Sequence, residues 1–405
     1  MACSVRRLVI NSLADAEREL AAINADPFSI RNLGPKMLHR LLLVEGVGCE
    51  EGNILKQEIL AMGGDAAVTR GAPECGILRS DVIIMGTEKQ LRRLCSTLLH
   101  HPLGFSILAA EIIKLLDTEA NPPKTWQIGR RTLDFSRQGC VMGILNVTPD
   151  SFSDGNRFSD VDRAVERALE MEAEGADIID IGGESTRPFA PPVDEREELT
   201  RVMPVLERLA GLLKIPVSID TYKSAVAREA LAAGAEIVND ISALTFDERM
   251  AGVVAGAGAG LVLMHTRGKP SDMQKDTAYG SIIAEITASL NKLLAMAESA
   301  GIAAERIVVD PGIGFGKSAE GNLEIVRRLA EFSVLGRPIM VGISRKSFIG
   351  KVLGREVGER AFGTAAAVAV ALANGASIFR VHDVKEMRDV VDMATALLSP
   401  AAESV

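Results

Sequence analysis

The chain has 405 residues, 47% of them hydrophobic and 24% charged, with a formal net charge of −9. That is too long for one ordinary compact domain unless most of it is a barrel, and apolar enough to exclude bulk disorder. The acidic balance excludes general nucleic-acid binding, which leans on a broad basic surface, but not anionic small molecules that need only a few local cations.

The first apolar run, residues 8–10, is too short for a signal-peptide core, and the alanine-rich stretch 361–373 is far below membrane-spanning length. These features predict a soluble, cytoplasmic protein with no membrane partner. Five cysteines (Cys3, Cys49, Cys75, Cys95 and Cys140) show no CxxC pair and no zinc spacing, so they are expected as neutral thiols in a reducing compartment.

Residues 7–10 are expected as a strand, and 13–24 as an amphipathic helix with Leu13, Ala16, Leu20 and Ile23 on one face. Helical signals come next at 53–62, 88–99 and 104–116, the first stopped by Gly63-Gly64, and strand signals at 65–69 and 82–85. Arg92-Arg93 and His100-His101 read as a solvated helix face. Nothing in residues 1–120 has the spacing of a chemical site, so this region is expected to be a small α/β accessory domain. A proline-marked break at Asn121-Pro122-Pro123 ends it. Residues 121–139 then read as a linker and a β-hairpin turning at Gly129-Arg130, placed to plug the bottom of the larger C-terminal domain.

From Cys140 to the end, short apolar runs recur at 141–145, 178–181, 217–219, 237–238, 261–264, 307–309, 339–343 and 378–381, with helical patterns between them. Eight such units over about 265 residues match a (β/α)₈ barrel. A doubly wound open sheet is the competitor, and polar residues after nearly every strand favour closure, with an active site at the carboxyl ends of the strands. There the chain places Asn146, then Glu184 to Arg187, Asp220, Asn239-Asp240, His265, Asp310, Ser344-Arg345-Lys346, and Arg380 with His382. A polar ring drawn from all eight strands suits a flat heterocycle and an anionic leaving group. Within it, residues 310–317 (Asp-Pro-Gly-Ile-Gly-Phe-Gly-Lys) form a glycine-rich turn whose backbone can approach a ligand closely. His265, Asp240 and Asp177 read as packing or capping residues, and Glu184 reads equally as structural or as part of the ring.

Seven segments in order resemble the dihydropteroate synthase family, across nearly all of residues 138–398. They are Gly143-Ile-Leu-Asn-Val-Thr-Pro-Asp-Ser-Phe-Ser-Asp-Gly155, Asp180-Ile-Gly-Gly-Glu-Ser-Thr-Arg-Pro188, Ser218-Ile-Asp-Thr221, Val238-Asn-Asp-Ile241, residues 310–317, Ser344-Arg-Lys-Ser347 and Arg380-Val-His-Asp-Val384. The resemblance implies a (β/α)₈ barrel over residues 140–405. It also implies condensation of 4-aminobenzoate with a dihydropterin methyl diphosphate, with release of pyrophosphate. It assigns Asn146 to Mg²⁺ and the diphosphate, and Arg380 and His382 to the pyrophosphate oxygens. Asp220, Asn239, Asp310 and Lys346 then form the pterin pocket, with Arg380 also stacking on the ring. Thr186, Arg187, Pro188, Phe315, Ser344 and Lys346 form the 4-aminobenzoate site. Loops 148–158 and 184–193 are expected to order only with ligands, and the late helices to form a homodimer.

Two rivals share the barrel. A methyltetrahydrofolate-type methyltransferase has no diphosphate to bind, so it has no need of Thr186-Arg187, Ser344-Arg345-Lys346 and Arg380-Val381-His382 together. A non-catalytic pterin-binding protein is expected to have lost some of the strand-end residues, and this chain keeps them.

Overall fold

The structure, a computed structural model, describes residues 4–148, 157–186 and 190–398. The chain divides into two compact units, Met1–Asn121 and Pro122–Val405.

The first unit runs α1 (Leu13–Ala22), α2 (Pro27–Met37), β1 (His39–Gly48), α3 (Cys49–Ala61), β2 (Asp65–Val68), β3 (Arg79–Thr87), α4 (Glu88–Leu98) and α5 (Ser106–Ala120). Its antiparallel sheet has the order β1-β3-β2. Alternate strand residues Leu42, Ala66, Val82 and Ile84 pack with Leu55, Ile59, Leu91 and Leu94 from the helices. Helix starts obey local chemistry, since Ser12 and Asp15 make a reciprocal capping box on α1 and Thr87 with Gln90 makes another on α4. Arg92 pairs with Glu88 and Asp117, as a solvated helix face does.

Two expectations need correction here, and two elements have none. Residues 7–10 have no regular structure, because the run makes no ladder with another strand. Helix α2 and strand β1 carry little periodic signal. Helix α2 forms, with Gly34 and Pro35 inside it, because Asp26 caps it and Pro27 occupies its first position. Finally, Cys49 and Cys75 are joined in a disulfide, so they are not free thiols. Twenty-six residues separate them, a spacing with no sequence signature; the β2–β3 connection brings Cys75 back to the start of α3. Cys95 and Cys140 are buried free thiols, and Cys3 lies outside the described residues.

The second unit opens with the hairpin β4 (Thr125–Ile128) and β5 (Arg131–Asp134). Then come β6 (Cys140–Asn146), α6 (Arg157–Ala173), β7 (Ile178–Gly182), α7 (Glu195–Leu209), β8 (Val217–Asp220), α8 (Ser224–Ala232), β9 (Ile237–Asp240) and α9 (Met250–Ala257). The chain continues through β10 (Gly260–Met264), α10 (Ile282–Ser299), β11 (Ile307–Asp310), α11 (Ala319–Arg327), β12 (Met340–Val341), α12 (Ser347–Leu353), α13 (Ala361–Ala373), β13 (Ile378–Val381) and α14 (Val384–Leu398). Strands β6 to β13 form one parallel sheet, ordered β11-β10-β9-β8-β7-β6-β13-β12. Ile339, just before β12, bridges to Val309 of β11, and the Val309 N–H donates to the Pro338 carbonyl at 3.0 Å. That contact closes a (β/α)₈ barrel, as predicted.

Strand residues alternate between two cores, with the period of two that a pleated strand imposes. Val141, Ile179, Ile219, Val238, Leu261 and Phe379 pack under the surrounding helices. Met142, Ile178, Ile237, Val262, Val308, Met340 and Ile378 form the inner layer, and Trp126 and Ile128 of the hairpin complete it. The Trp126 indole N–H donates to the Arg306 carbonyl at 2.8 Å, pinning the hairpin across the barrel floor.

Candidate active site

One step further along five of the strands, the inward position is polar. Ile178 is followed by Asp180, Ser218 by Asp220, Ile237 by Asn239, Val308 by Asp310 and Ile378 by Arg380, each two residues on. Sequence reading set most of these just beyond the strands; they are instead the last residues of β8, β9, β11 and β13 or lie within them. A polar ring therefore stands directly on the apolar floor.

The ring is internally bonded. Arg380 donates from Nε to Asp180 Oδ2 and from Nη2 to Asp220 Oδ2, both at 2.6 Å. Asn239 Nδ2 donates to the same Asp180 oxygen at 3.1 Å. Asp180 is fully buried and Asp220 is 7% exposed, and one oxygen of each, Oδ1, has no partner. Burial pushes the Asp220 carboxyl up to about 7, against the pull of Arg380 and with a push from Asp180. The two carboxylates hold the Arg380 guanidinium above its ordinary range despite burial. Two unsatisfied buried carboxylate oxygens are costly, and a ligand with N–H donors would relieve them.

The glycine-rich turn supplies the next group. Asp310 is 3% exposed and accepts from the Gly312 N–H at 2.7 Å, while burial pushes its carboxyl up to about 6. Gly312 has φ +69°, and a Cβ there would lie 1.9 Å from the His265 carbonyl oxygen, so only glycine fits. Lys346 sits with its ammonium 4.2 Å from the centre of the Phe315 ring, and burial together with Arg380 lowers it to about 8. Phe315 itself packs with Ile241, Met264 and Met273.

Ser344 is buried, and its hydroxyl meets His382 twice, at the backbone N–H (3.2 Å) and at Nδ1 (3.0 Å). Burial, then Arg380, lowers His382 to about 4, so near neutral pH it acts as an uncharged hydrogen-bonding group. Asn146 ends β6, half-buried, opposite Gly182 of β7. Thr186 is half-buried, while Arg187 and Pro188 lie outside the described residues, as do most of loops 148–158 and the centre of 184–193.

Several participants escaped the sequence reading. Asp180 opens one of the seven segments but had no role there, although its inward register beside Ile178 was the available signal. Lys317, 3% exposed, approaches His265 Nδ1 at 3.0 Å and donates to the Phe315 carbonyl at 2.9 Å, and burial lowers its ammonium to about 7. It ties the glycine-rich turn to the end of β10. His265 is a buried packing residue, lowered by that burial to about 3. Asp240 accepts from Ser242 and from the Leu244 N–H, a structural turn as expected. No spacing rule could have found Glu184 held by Tyr222 and Lys223.

Comparisons with known proteins bear on what this ring acts on. Residues 142–382 match the pterin binding enzyme family. The chain is 41% identical over 390 residues to a probable bifunctional folylpolyglutamate synthase/dihydropteroate synthase of Halobacterium salinarum, covering 96% of this chain and 46% of that protein. It thus spans about half the length of that relative. It is 47% identical over 276 residues to a dihydropteroate synthase of Synechocystis, covering 68% of this chain and 96% of that one. A crystal structure of dihydropteroate synthase from Clostridium difficile in the presence of pteroic acid superposes with a TM-score of 0.63 at 46% identity, over 66% of this chain and all of that one.

Proposed function

The chain belongs to the pterin-binding enzyme family, and from that premise we propose that its barrel is a dihydropteroate synthase. It joins 4-aminobenzoate to (7,8-dihydropterin-6-yl)methyl diphosphate, giving 7,8-dihydropteroate and pyrophosphate for folate synthesis. One observation carries the reading: an inward ring of Asp180, Asp220, Asn239, Asp310 and Arg380 stands on an apolar floor, with Lys346 stacked on Phe315 at its edge.

In this reading the pterin lies on the ring. Asp310 accepts from its 2-amino edge, Asp220 and Asn239 line the rest of the pocket, and Lys346 donates to the ring oxygen and a ring nitrogen. Arg380 is fixed in plane by two carboxylates, so its face is preset to lie against the heterocycle, a role lysine does not fill. The methylene C–O bond to the diphosphate then breaks, leaving a cation delocalised into the pterin. The aniline nitrogen of 4-aminobenzoate donates its lone pair to form the C–N bond and loses its proton to solvent. Catalysis is positioning plus stabilisation of negative charge on the departing pyrophosphate, from Arg380 and from His382 with its Nδ1 engaged by Ser344.

Mg²⁺ fits the donor set. Among the described residues no three His, Cys, Asp or Glu side chains converge as metal ligands, and Asn146 offers one neutral oxygen at the end of β6. A hard cation that keeps several waters would suit a single such ligand, and when bound it would supply positive charge against the leaving diphosphate. Thr186, Phe315 and Ser344, with Arg187 and Pro188 beyond the described chain, belong to the 4-aminobenzoate side.

Residues 1–120 act as an accessory domain, 121–139 as linker and floor hairpin, and 140–405 as the catalytic barrel. Exposed Leu353, Val357, Phe362 and Val370 on and between α12 and α13, with Phe362 90% exposed, support a homodimer through these late helices. No helix among the described residues is long and apolar enough to cross a membrane. The test is pyrophosphate release by the purified chain with the pterin diphosphate and Mg²⁺. Release that requires 4-aminobenzoate is expected. Its absence overturns the reading, and methyl transfer from a methylated folate would put the methyltransferase in its place.

A further inference from the structure

Beside the ring lies a second buried charge network that the reaction does not use. Glu198 of α7 is fully buried, and Glu184, just past β7, is 8% exposed. The Lys223 ammonium donates to both carboxylates. The Tyr222 hydroxyl donates to Glu184 at 2.8 and 3.0 Å, and burial with Glu184 beside it pushes this phenol up to about 12. Arg201 of α7 also donates to the Gly183 carbonyl at 2.7 Å. A Cβ on Gly183 would lie 2.8 Å from Val202 and 3.0 Å from Glu198, so strand end and helix are packed without slack.

A buried carboxylate pair sharing one ammonium is a poor source of stability, and its retention calls for another reason. Position supplies one. Glu184 is where the chain leaves β7, two residues before Thr186. Tyr222 and Lys223 come just after Asp220, which is bonded to Arg380 in the ring. The same short segment after β8 thus holds the ring with Asp220 and the neighbouring strand exit with its next side chains.

We propose that Lys223, seconded by Tyr222, is a positioning residue: anchored on Glu198, it fixes Glu184 and so sets where Thr186 stands for 4-aminobenzoate. It touches neither substrate. The proposal rests on the reading of Thr186 as part of the aminobenzoate site.

The experiment compares full-length Lys223→Met, Lys223→Arg and Tyr222→Phe with the parent chain. In Lys223→Met, KM for 4-aminobenzoate rises roughly tenfold, in the range that misplaced binding groups cost, while KM for the pterin diphosphate stays nearly constant. Lys223→Arg recovers part of that loss, and Tyr222→Phe, which keeps the packing and guards against failure to fold, shows a smaller rise in the same constant. Hydrogen exchange of the amides from Gly183 to Thr186 speeds up in Lys223→Met and Tyr222→Phe, with β8 and β9 unchanged. Unchanged exchange at those amides, or equal rises in both KM values, overturns the proposal. An inactive parent chain overturns the synthase reading instead, and the exchange measurement then still decides whether Lys223 fixes the strand exit.

Discussion

The two units of this chain spend their interiors differently. Among the described residues, the N-terminal unit buries one polar side chain, Ser80, at 2% exposure. The barrel buries Asp180, Glu198, Asp220, Asn239, Asp240, Asp310 and Lys317, all at 7% or less. The first unit is held by an apolar core and a disulfide, the economy expected of a small domain with little volume to bury. The barrel has core to spare and accepts desolvated charge where strands end. Buried polar groups cost several kcal/mol unless satisfied, so their concentration at the strand ends sets the barrel apart from the first unit.

Substitutions in the barrel ring sharpen that contrast most. Arg380→Ala strands Asp180 and Asp220 without their cation, which is expected to cost about 3–5 kcal/mol of stability. Pyrophosphate release should fall by about 10²-fold or more in kcat/KM, since the proposed leaving-group cation is lost as well. Arg380→Lys should recover little, lacking the fork that reaches both carboxylates. A variant with normal turnover and melting would leave the ring without its proposed function.

Asp310→Asn comes next. It should weaken binding of the pterin substrate by about 1–3 kcal/mol, the range for a lost charged hydrogen-bond acceptor, measurable by calorimetric titration. Thermal stability should hold or rise, because the carboxyl is already pushed up by burial. A fall in stability larger than the fall in affinity would make Asp310 a structural residue.

The pH response separates the units further. Asp310 and Asp220 have raised folded-state values, about 6 and about 7, so the stability they contribute is full below about 4 and is lost as pH rises through those values. Lys317 runs the other way. Its folded-state value is depressed to about 7, so its contribution is present at high alkaline pH and is lost as pH falls through 7. Denaturation midpoints measured across this range should therefore show Lys317→Met flattening the limb above pH 7. The barrel's slopes should be the same in a chain lacking residues 1–120, and a change there would tie the two units together.

The smallest effect on turnover is expected from the N-terminal unit. Removing the disulfide with Cys49→Ser and Cys75→Ser should cost that unit roughly 3 kcal/mol, for a loop of 26 residues. Activity should stay unchanged. A loss of turnover on reduction would give the unit a part in catalysis.

Much of the candidate site is legible in the sequence. The eight apolar runs each became a strand, and Asn146, Asp220, Asn239, Asp310, Ser344, Lys346, Arg380 and His382 all stand at one end of the barrel. Apolar runs with a period of two or longer and polar residues at their ends are local signals, so they survive without tertiary knowledge. What was missed was of another kind. Helix α2 carries Gly34 and Pro35 in its interior, and Cys49 meets Cys75 only because a loop returns. Lys317, Lys223 and Glu198 have meaning only through partners on other strands and helices.

Taken by itself, the sequence determined the alternation of strand and helix, and hence the barrel and the face on which chemistry gathers. Tertiary structure alone decided who pairs with whom. Arg380 joins Asp180 and Asp220 across separations of 200 and 160 residues. Those contacts exist only once parallel strands fix a common register and bring the last inward residue of each to the same height above the floor. Periodicity is written residue by residue along a chain; closure of a ring is not, because it depends on the positions of all eight strands at once.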